Sequence, residues 1–134
     1  MKRLCAVLIL AGCSRQVPPE AASATVTSRL SPAQLDAFDE PTHSACMGPH
    51  GAPVVDYDAG ECRVRGPYAG ELTGQAVGEP AALEAALARC IADEECTGVS
   101  ASWYIGADFS AVRAERPFVE DTNSYGCVVL VACP

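Results

Sequence analysis

The chain has 134 residues, 49% of them hydrophobic, with 17 acidic against 9 basic side chains and a net charge of −8 when both histidines are neutral. That length holds one domain with appendages and a modest core. The acidity argues against nucleic acid and anionic lipid headgroups as partners, since such a field repels both.

Met1-Lys2-Arg3 is a basic start, Leu4 to Leu10 an apolar run too short to span a bilayer, and small residues follow, which is the build of an export signal. Leu10-Ala11-Gly12-Cys13 resembles the lipobox of bacterial lipoproteins at all four positions. The resemblance implies that residues 1–12 are a signal peptide, removed so that Cys13 becomes the lipid-bearing first residue. Two or more acyl chains, at about 0.8 kcal/mol per buried methylene, then hold the protein durably on a membrane. Ser14, in place of Asp, resembles the class sorted to the outer membrane, so the expected location is the bacterial cell envelope, facing the periplasm or the cell surface. An ordinary secretory signal with a chance cysteine is the alternative, and it exports the chain as well. Without residues 1–12 the basic residues are seven arginines against 17 acids, a net charge of −10.

Residues 14–30 are rich in Ala, Ser, Thr and Pro without a sustained period, so 13–30 reads as lipid anchor and flexible tether and 31–134 as the domain. Ser31-Pro32-Ala33-Gln34 has the form of a capping box with proline at the first helical position, opening a short helix to about Glu40 that buries Leu35 and Phe38. Residues 42–60 read as loop, with only Val54-Val55 extended, and Cys62-Arg63-Val64-Arg65 as a strand ending before Gly66-Pro67. Leu72 begins another short extended piece, with turns at Gly70, Gly74 and Gly78.

From Pro80, which suits a first helical turn, the apolar residues Leu83, Ala86, Leu87, Cys90 and Ile91 recur along one helical stripe. After the acidic turn Asp93-Glu94-Glu95 the period changes to two: Val99, Ala101, Trp103 and Ile105 alternate with Gly98, Ser100, Ser102 and Tyr104, the pattern of a strand with one apolar face. Residues 106–124 read as a long polar excursion, and such loops are usually functional or mobile. Gly126 to Cys133 closes the chain as an extended run, apolar on both faces, which suits a central strand.

With Cys5 in the signal and Cys13 lipidated, six cysteines remain: Cys46, Cys62, Cys90, Cys96, Cys127 and Cys133. An even number in an exported domain reads as three disulfides. Cys90 at the helix end and Cys96 at the strand start suit a short covalent link. The other four then pair in one of three ways; closure of Cys46 onto Cys133 would make residues 46–133 a single covalent unit. Stability should depend on oxidation more than on the core, since few large side chains besides Trp103 and the Val128 to Val131 run are available for burial.

The region from Cys62 to Cys133 resembles the PAN/apple superfamily. Its carriers are Gly70-Glu71-Leu72-Thr73-Gly74, the run Leu83 to Cys90, the run Asp93 to Ser100, and Gly126-Cys127-Val128-Val129-Leu130. The resemblance implies a small disulfide-rich α+β domain, one central helix packed on a short antiparallel sheet, and it supports the Cys90 to Cys96 link. It also implies a non-catalytic module that contacts proteins or carbohydrates. Two features depart from the family: Ala86 stands where many members carry a second helix cysteine, and the excursion before Cys127 is long.

On that reading the ligand is an envelope protein or a glycan, met by Tyr104 at the strand's exposed edge and by Phe109, Arg113 and Arg116 in the excursion; no cofactor is implied. The competing reading is a metal-binding lipoprotein that uses His43 and His50 with Met47, soft and borderline ligands grouped around Cys46. A purely structural envelope protein is a third. Asp56-Tyr57-Asp58-Ala59-Gly60-Glu61 has the start of a calcium loop, but Pro67 stands where the loop's last glutamate belongs. For catalysis there is no Gly-x-Ser-x-Gly elbow, and the carboxylates Asp93, Glu94 and Glu95 read as a solvated turn. The chain therefore reads as a non-enzyme.

Overall fold

The computed structural model describes residues 29–38, 54–102 and 108–134. They form a six-stranded sheet with a helix on each face: α1 (Pro32–Asp36), β1 (Val55–Ala59), β2 (Cys62–Ala69), β3 (Gly74–Ala76), α2 (Leu83–Ala92), β4 (Gly98–Ala101), β5 (Ser110–Ala114) and β6 (Cys127–Ala132). The order across the sheet is β1-β2-β6-β4-β5-β3, and every pairing is antiparallel. The expected class, a small α+β domain with one main helix on an antiparallel sheet, is what is observed.

β6 lies near the centre, paired with both β2 and β4, and all six of its residues are buried. Val129 and Val131 face α2, where Ala86, Leu87 and Cys90 pack with Val64, Val99 and Phe109. Val128, Leu130 and Ala132 face the opposite way, toward Leu35 of α1, Tyr68 and Phe118. Alternating side chains of one strand thus supply two core layers, the reason a central strand is apolar at every position.

The stripe read for α2 is the buried one, with Leu83 and Ile91 at its margins. Pro80 is not in its first turn: the helix starts at Leu83, and Ala81 instead exchanges two backbone hydrogen bonds with Phe109. α1 has the expected capping box, Ser31 and Gln34 each accepting the other's backbone N–H, with Pro32 at the first position. It ends at Asp36 rather than near Glu40, since Ala37 already donates back to Gln34 and Leu35 and closes the helix. Leu30, read as the end of the tether, is buried and bridges Ala132, and Cys133 donates to its carbonyl; Arg29 and Leu30 therefore belong with the folded part.

Three stretches are more extended than their composition predicts. The 55–59 segment is a full strand hairpinned onto β2, where Asp56 takes Arg63 at 2.9 Å and Arg65 at 3.5 Å. Ion pairing to neighbouring arginines occupies that carboxylate. β2 runs through Gly66-Pro67 to Ala69, because the register shifts between Arg65 and Tyr68 and one extra residue is absorbed there. A bulge of this kind takes a proline that a regular ladder would reject. Gly66 suits the close approach, since a Cβ there would stand 2.8 Å from Val129 Cα. Finally, Ser110–Ala114 inside the polar excursion is β5, held between β4 and β3.

Cys90–Cys96 is bonded as expected, and both cysteines are fully buried. Cys133 pairs with Cys62, not with Cys46. Cys127 is also disulfide-bonded.

Candidate functional site

The turn from α2 to β4 is organised by Asp93. Its carboxylate accepts Arg113 Nη2 at 2.6 Å and the Glu95 backbone N–H at 2.9 Å, and its carbonyl accepts Cys96 N–H and the Arg29 guanidinium. The Asp93 side chain is 15% exposed, so it is not the solvated carboxylate expected from an acidic turn. The hydrogen bond from Arg113 holds its pKa below the usual aspartate value, against the opposing effect of burial, with further help from the Glu95 N–H. The same bond raises the pKa of Arg113. Arg113 is thereby committed to the fold rather than offered to a ligand.

A consequence in pH follows. With the folded-state pKa of Asp93 below its unfolded value, the pair's contribution is complete above about pH 4 and is lost as pH falls through the folded-state pKa. Asp93→Asn should lower the melting temperature at pH 7 and reduce the difference between pH 7 and pH 3. Melting curves of both proteins at the two pH values measure this; an unchanged acid limb would refute it.

Phe109 is 2% exposed and packs among the α2-side residues, so its ring is core and not a ligand anchor. Arg116 differs from both. Among the described arginines, Arg63, Arg65 and Arg113 are in ion pairs and Arg29 and Arg89 donate to carbonyls, whereas exposed Arg116 makes no hydrogen bond or ion pair. Tyr104, His43, Met47, His50 and Cys46 lie outside the described residues.

Arg116 stands in the wall of a cleft of about 270 Å³, with Pro117, Phe118 and Val119 beside it and Thr73, Asp121 and Ser124 completing the lining. A second cleft of about 320 Å³ is lined by Pro80, Ser100, Ser102, Asp108, Ser110 and Val112 among others, and Glu71 and Leu72 are common to both. The two clefts therefore adjoin across a Glu71-Leu72 ridge. Ser100 pairs with both Val128 and Ser110, so these hydroxyls share the sheet face on which Leu130 and Val128 lie.

The walls are held by two bonds to distant backbone and two local ones. Residues 115–126 are pinned by Glu115 N–H to Thr73 O, Asp121 N–H to Ala69 O, Asn123 N–H to Asp121 Oδ1 and Gly126 N–H to Ser124 Oγ, all between 2.9 and 3.0 Å. Phe118 anchors the loop from below, its ring 5.9 Å from Phe38 and 6.4 Å from Tyr68. Gly70 makes room for it: its φ is +141°, and a Cβ there would stand 2.7 Å from the Phe118 ring. Val119 and Tyr125 in the same loop are exposed, 77% and 76%.

This lining offers hydroxyls, carboxylates, one guanidinium with no internal partner and a small apolar ridge. Such a set can hydrogen-bond a polyhydroxylated or amide-bearing ligand while one apolar edge packs on Leu72. Of this lining, sequence reasoning named Arg116 as a ligand residue, and read Ser100 and Ser102 only as the polar positions of an alternating strand. It missed Glu71-Leu72-Thr73 as a site, although that run had been singled out for its resemblance. Among the described residues no group of three His, Cys, Asp or Glu could hold a metal ion, and no helix is long and apolar enough to cross a membrane.

No protein-family model, no curated protein and no solved structure matches this chain. Function is therefore argued from the site itself.

Proposed function

We propose that this chain is a lipid-anchored protein of a bacterial envelope whose PAN/apple-like domain is a non-catalytic binding module, taking a carbohydrate in the paired clefts around Glu71 and Leu72. The carrying observation is the adjoining pair of clefts, lined by hydroxyls and carboxylates and including Arg116 with its unused donors. The Cys90–Cys96 link between helix end and strand start, and the helix packed on an antiparallel sheet, support the PAN/apple-like part of the reading.

The location of the clefts supports the anchored part. The described chain enters at Arg29 and Leu30, beside Ala132 and Cys133. The first cleft lies at the other end of β6, where Gly70 donates to Gly126 next to Cys127. The strand between advances roughly 17 Å. A tether attached at Arg29 therefore leaves the clefts on the far end of the domain, open to a ligand beyond the membrane surface.

Two measurements test the proposal. Fractionation of a bacterial host expressing the wild-type chain or Cys13→Ala should place the first with membranes and the second in the soluble fraction; equal recovery in the soluble fraction refutes the anchor. A glycan array probed with the Cys13→Ala form should retain it, with capture lost in Ser100→Phe, which fills the second cleft, and weakened about tenfold in Arg116→Ala. Capture of envelope proteins without glycan binding would instead assign the clefts to a protein ligand.

A further inference from the structure

The Cys62–Cys133 bond differs in surroundings from the other described cysteines. Cys90 and Cys96 are fully buried and Cys127 is 1% exposed, whereas Cys62 and Cys133 are both half-buried. They line a cavity of about 360 Å³ together with Arg29, Glu61, Ile91 and Glu94. Arg29 reaches across it: its Nη2 donates to Cys133 Sγ and stands 3.7 Å from Cys62 Sγ, while its Nη1 is held by the Asp93 carbonyl at the end of α2. The guanidinium is fixed against one sulfur of an accessible disulfide, a position that nothing in the ligand clefts requires.

Thiol–disulfide exchange depends on access to one sulfur and on how well the other leaves as thiolate. A cation held on a sulfur lowers the pKa of the thiol it becomes, and arginine keeps its charge at any relevant pH. Both conditions are met here, whereas Cys90, Cys96 and Cys127 are buried.

We propose that Cys62–Cys133 is a thiol–disulfide exchange site, opened by a dithiol entering the cavity beside Arg29. A thiolate of the dithiol attacks Cys62 Sγ and forms a mixed disulfide; the Cys62–Cys133 bond breaks and its electron pair leaves on Cys133 Sγ, against the guanidinium. The dithiol's second thiol, deprotonated, then attacks its own partner sulfur in the mixed disulfide and releases Cys62 as thiolate. Two electrons pass from the dithiol, which closes to a disulfide, and its two protons end on Cys62 and Cys133 or in solvent. Glu61 and Glu94 in the same cavity make an uncharged dithiol a better match than an anionic thiol. The bond joins the start of β2 to the residue that follows β6, next to the Leu30 bridge, so its opening loosens the end at which the chain enters the fold.

The test is time-resolved alkylation with mass-spectrometric readout on the full chain in detergent, using dithiothreitol as the dithiol and comparing initial rates. Cys62 and Cys133 should be alkylated first, with Cys90, Cys96 and Cys127 still protected. Arg29→Gln should slow the first step roughly three- to tenfold, and Arg29→Lys should recover part of the rate. Alkylation of Cys90 and Cys96 together with or ahead of Cys62 and Cys133 would overturn the proposal. An initial rate in Arg29→Gln equal to or above wild type would overturn it too.

Discussion

Replacing Cys62 and Cys133 together by serine is expected to lower stability by about 4 kcal/mol and the melting temperature by roughly 15 to 30 °C. The bond spans 71 residues of sequence and closes β2, β3, α2, β4, β5 and β6 into one covalent ring, whereas Cys90–Cys96 spans only 6. In the chain-entropy model the shorter loop contributes about 2 kcal/mol, so the two disulfides should separate clearly in a thermal melt. A loss of less than about 1 kcal/mol for the long-loop variant would show that the unfolded chain is already compact across that span.

Leu130→Ala should cost about 3 kcal/mol, measured as a fall in the denaturant midpoint without a change in slope. Leu130 is fully buried in the middle of β6, flanked by Arg65 on one neighbouring strand and Gly98 on the other. Below it lie Leu35, Tyr68 and Phe118, and the sheet itself is backed by α2 on the other side. With both faces covered, the surroundings have little freedom to collapse into the space that truncation leaves. Val119→Ala, at a residue 77% exposed, is the matching control and should change stability by no more than about 0.5 kcal/mol.

The parts of this fold that could be read from sequence are those whose signal is local. A helical stripe from Leu83 to Ile91, the Ser31 capping box, the close spacing of Cys90 and Cys96 and the doubly apolar run of β6 each rest on residues within a few positions of one another. What could not be read depends on distant neighbours. β5 hides in a polar stretch because its buried residues are small, Ala111, Val112 and Ala114, and acquire their meaning only from strands on both sides.

The second core layer was legible only in part: burial of Leu35 and Phe38 was expected, but not that Tyr68 and Phe118 join them. Phe38, Tyr68 and Phe118 meet with ring centroids 5.4 to 6.4 Å apart, yet no period links positions so far apart in the chain. These rings make the core richer in large side chains than Trp103 and the valine run alone suggested. Asp93 looked solvated because its partner, Arg113, lies 20 residues away on β5.

The site divides along the same line. Ser100 and Ser102 were legible as the polar face of an alternating strand, and Arg116 as a cation in a functional excursion. That the excursion folds back to place Arg116 beside Leu72 depends on Phe118 entering the aromatic layer and on Asp121 reaching Ala69, neither of which has a sequence period. Of the other expected ligand residues, Phe109 is held in the core beside the Ala81 bridge, and Arg113 on β5 is paired with Asp93.

The most direct test of the central claim, a binding module whose ligand lies across the Glu71-Leu72 ridge, is backbone-amide chemical-shift mapping of the Cys13→Ala protein during titration with a glycan that the array retains. The account predicts saturable shifts at Leu72, Thr73, Ser100, Ser102 and Ser110 and in the 116–124 loop, with Arg29, Asp93 and Cys133 unmoved. Absence of saturable shifts, or shifts confined to residues away from Leu72, would contradict it.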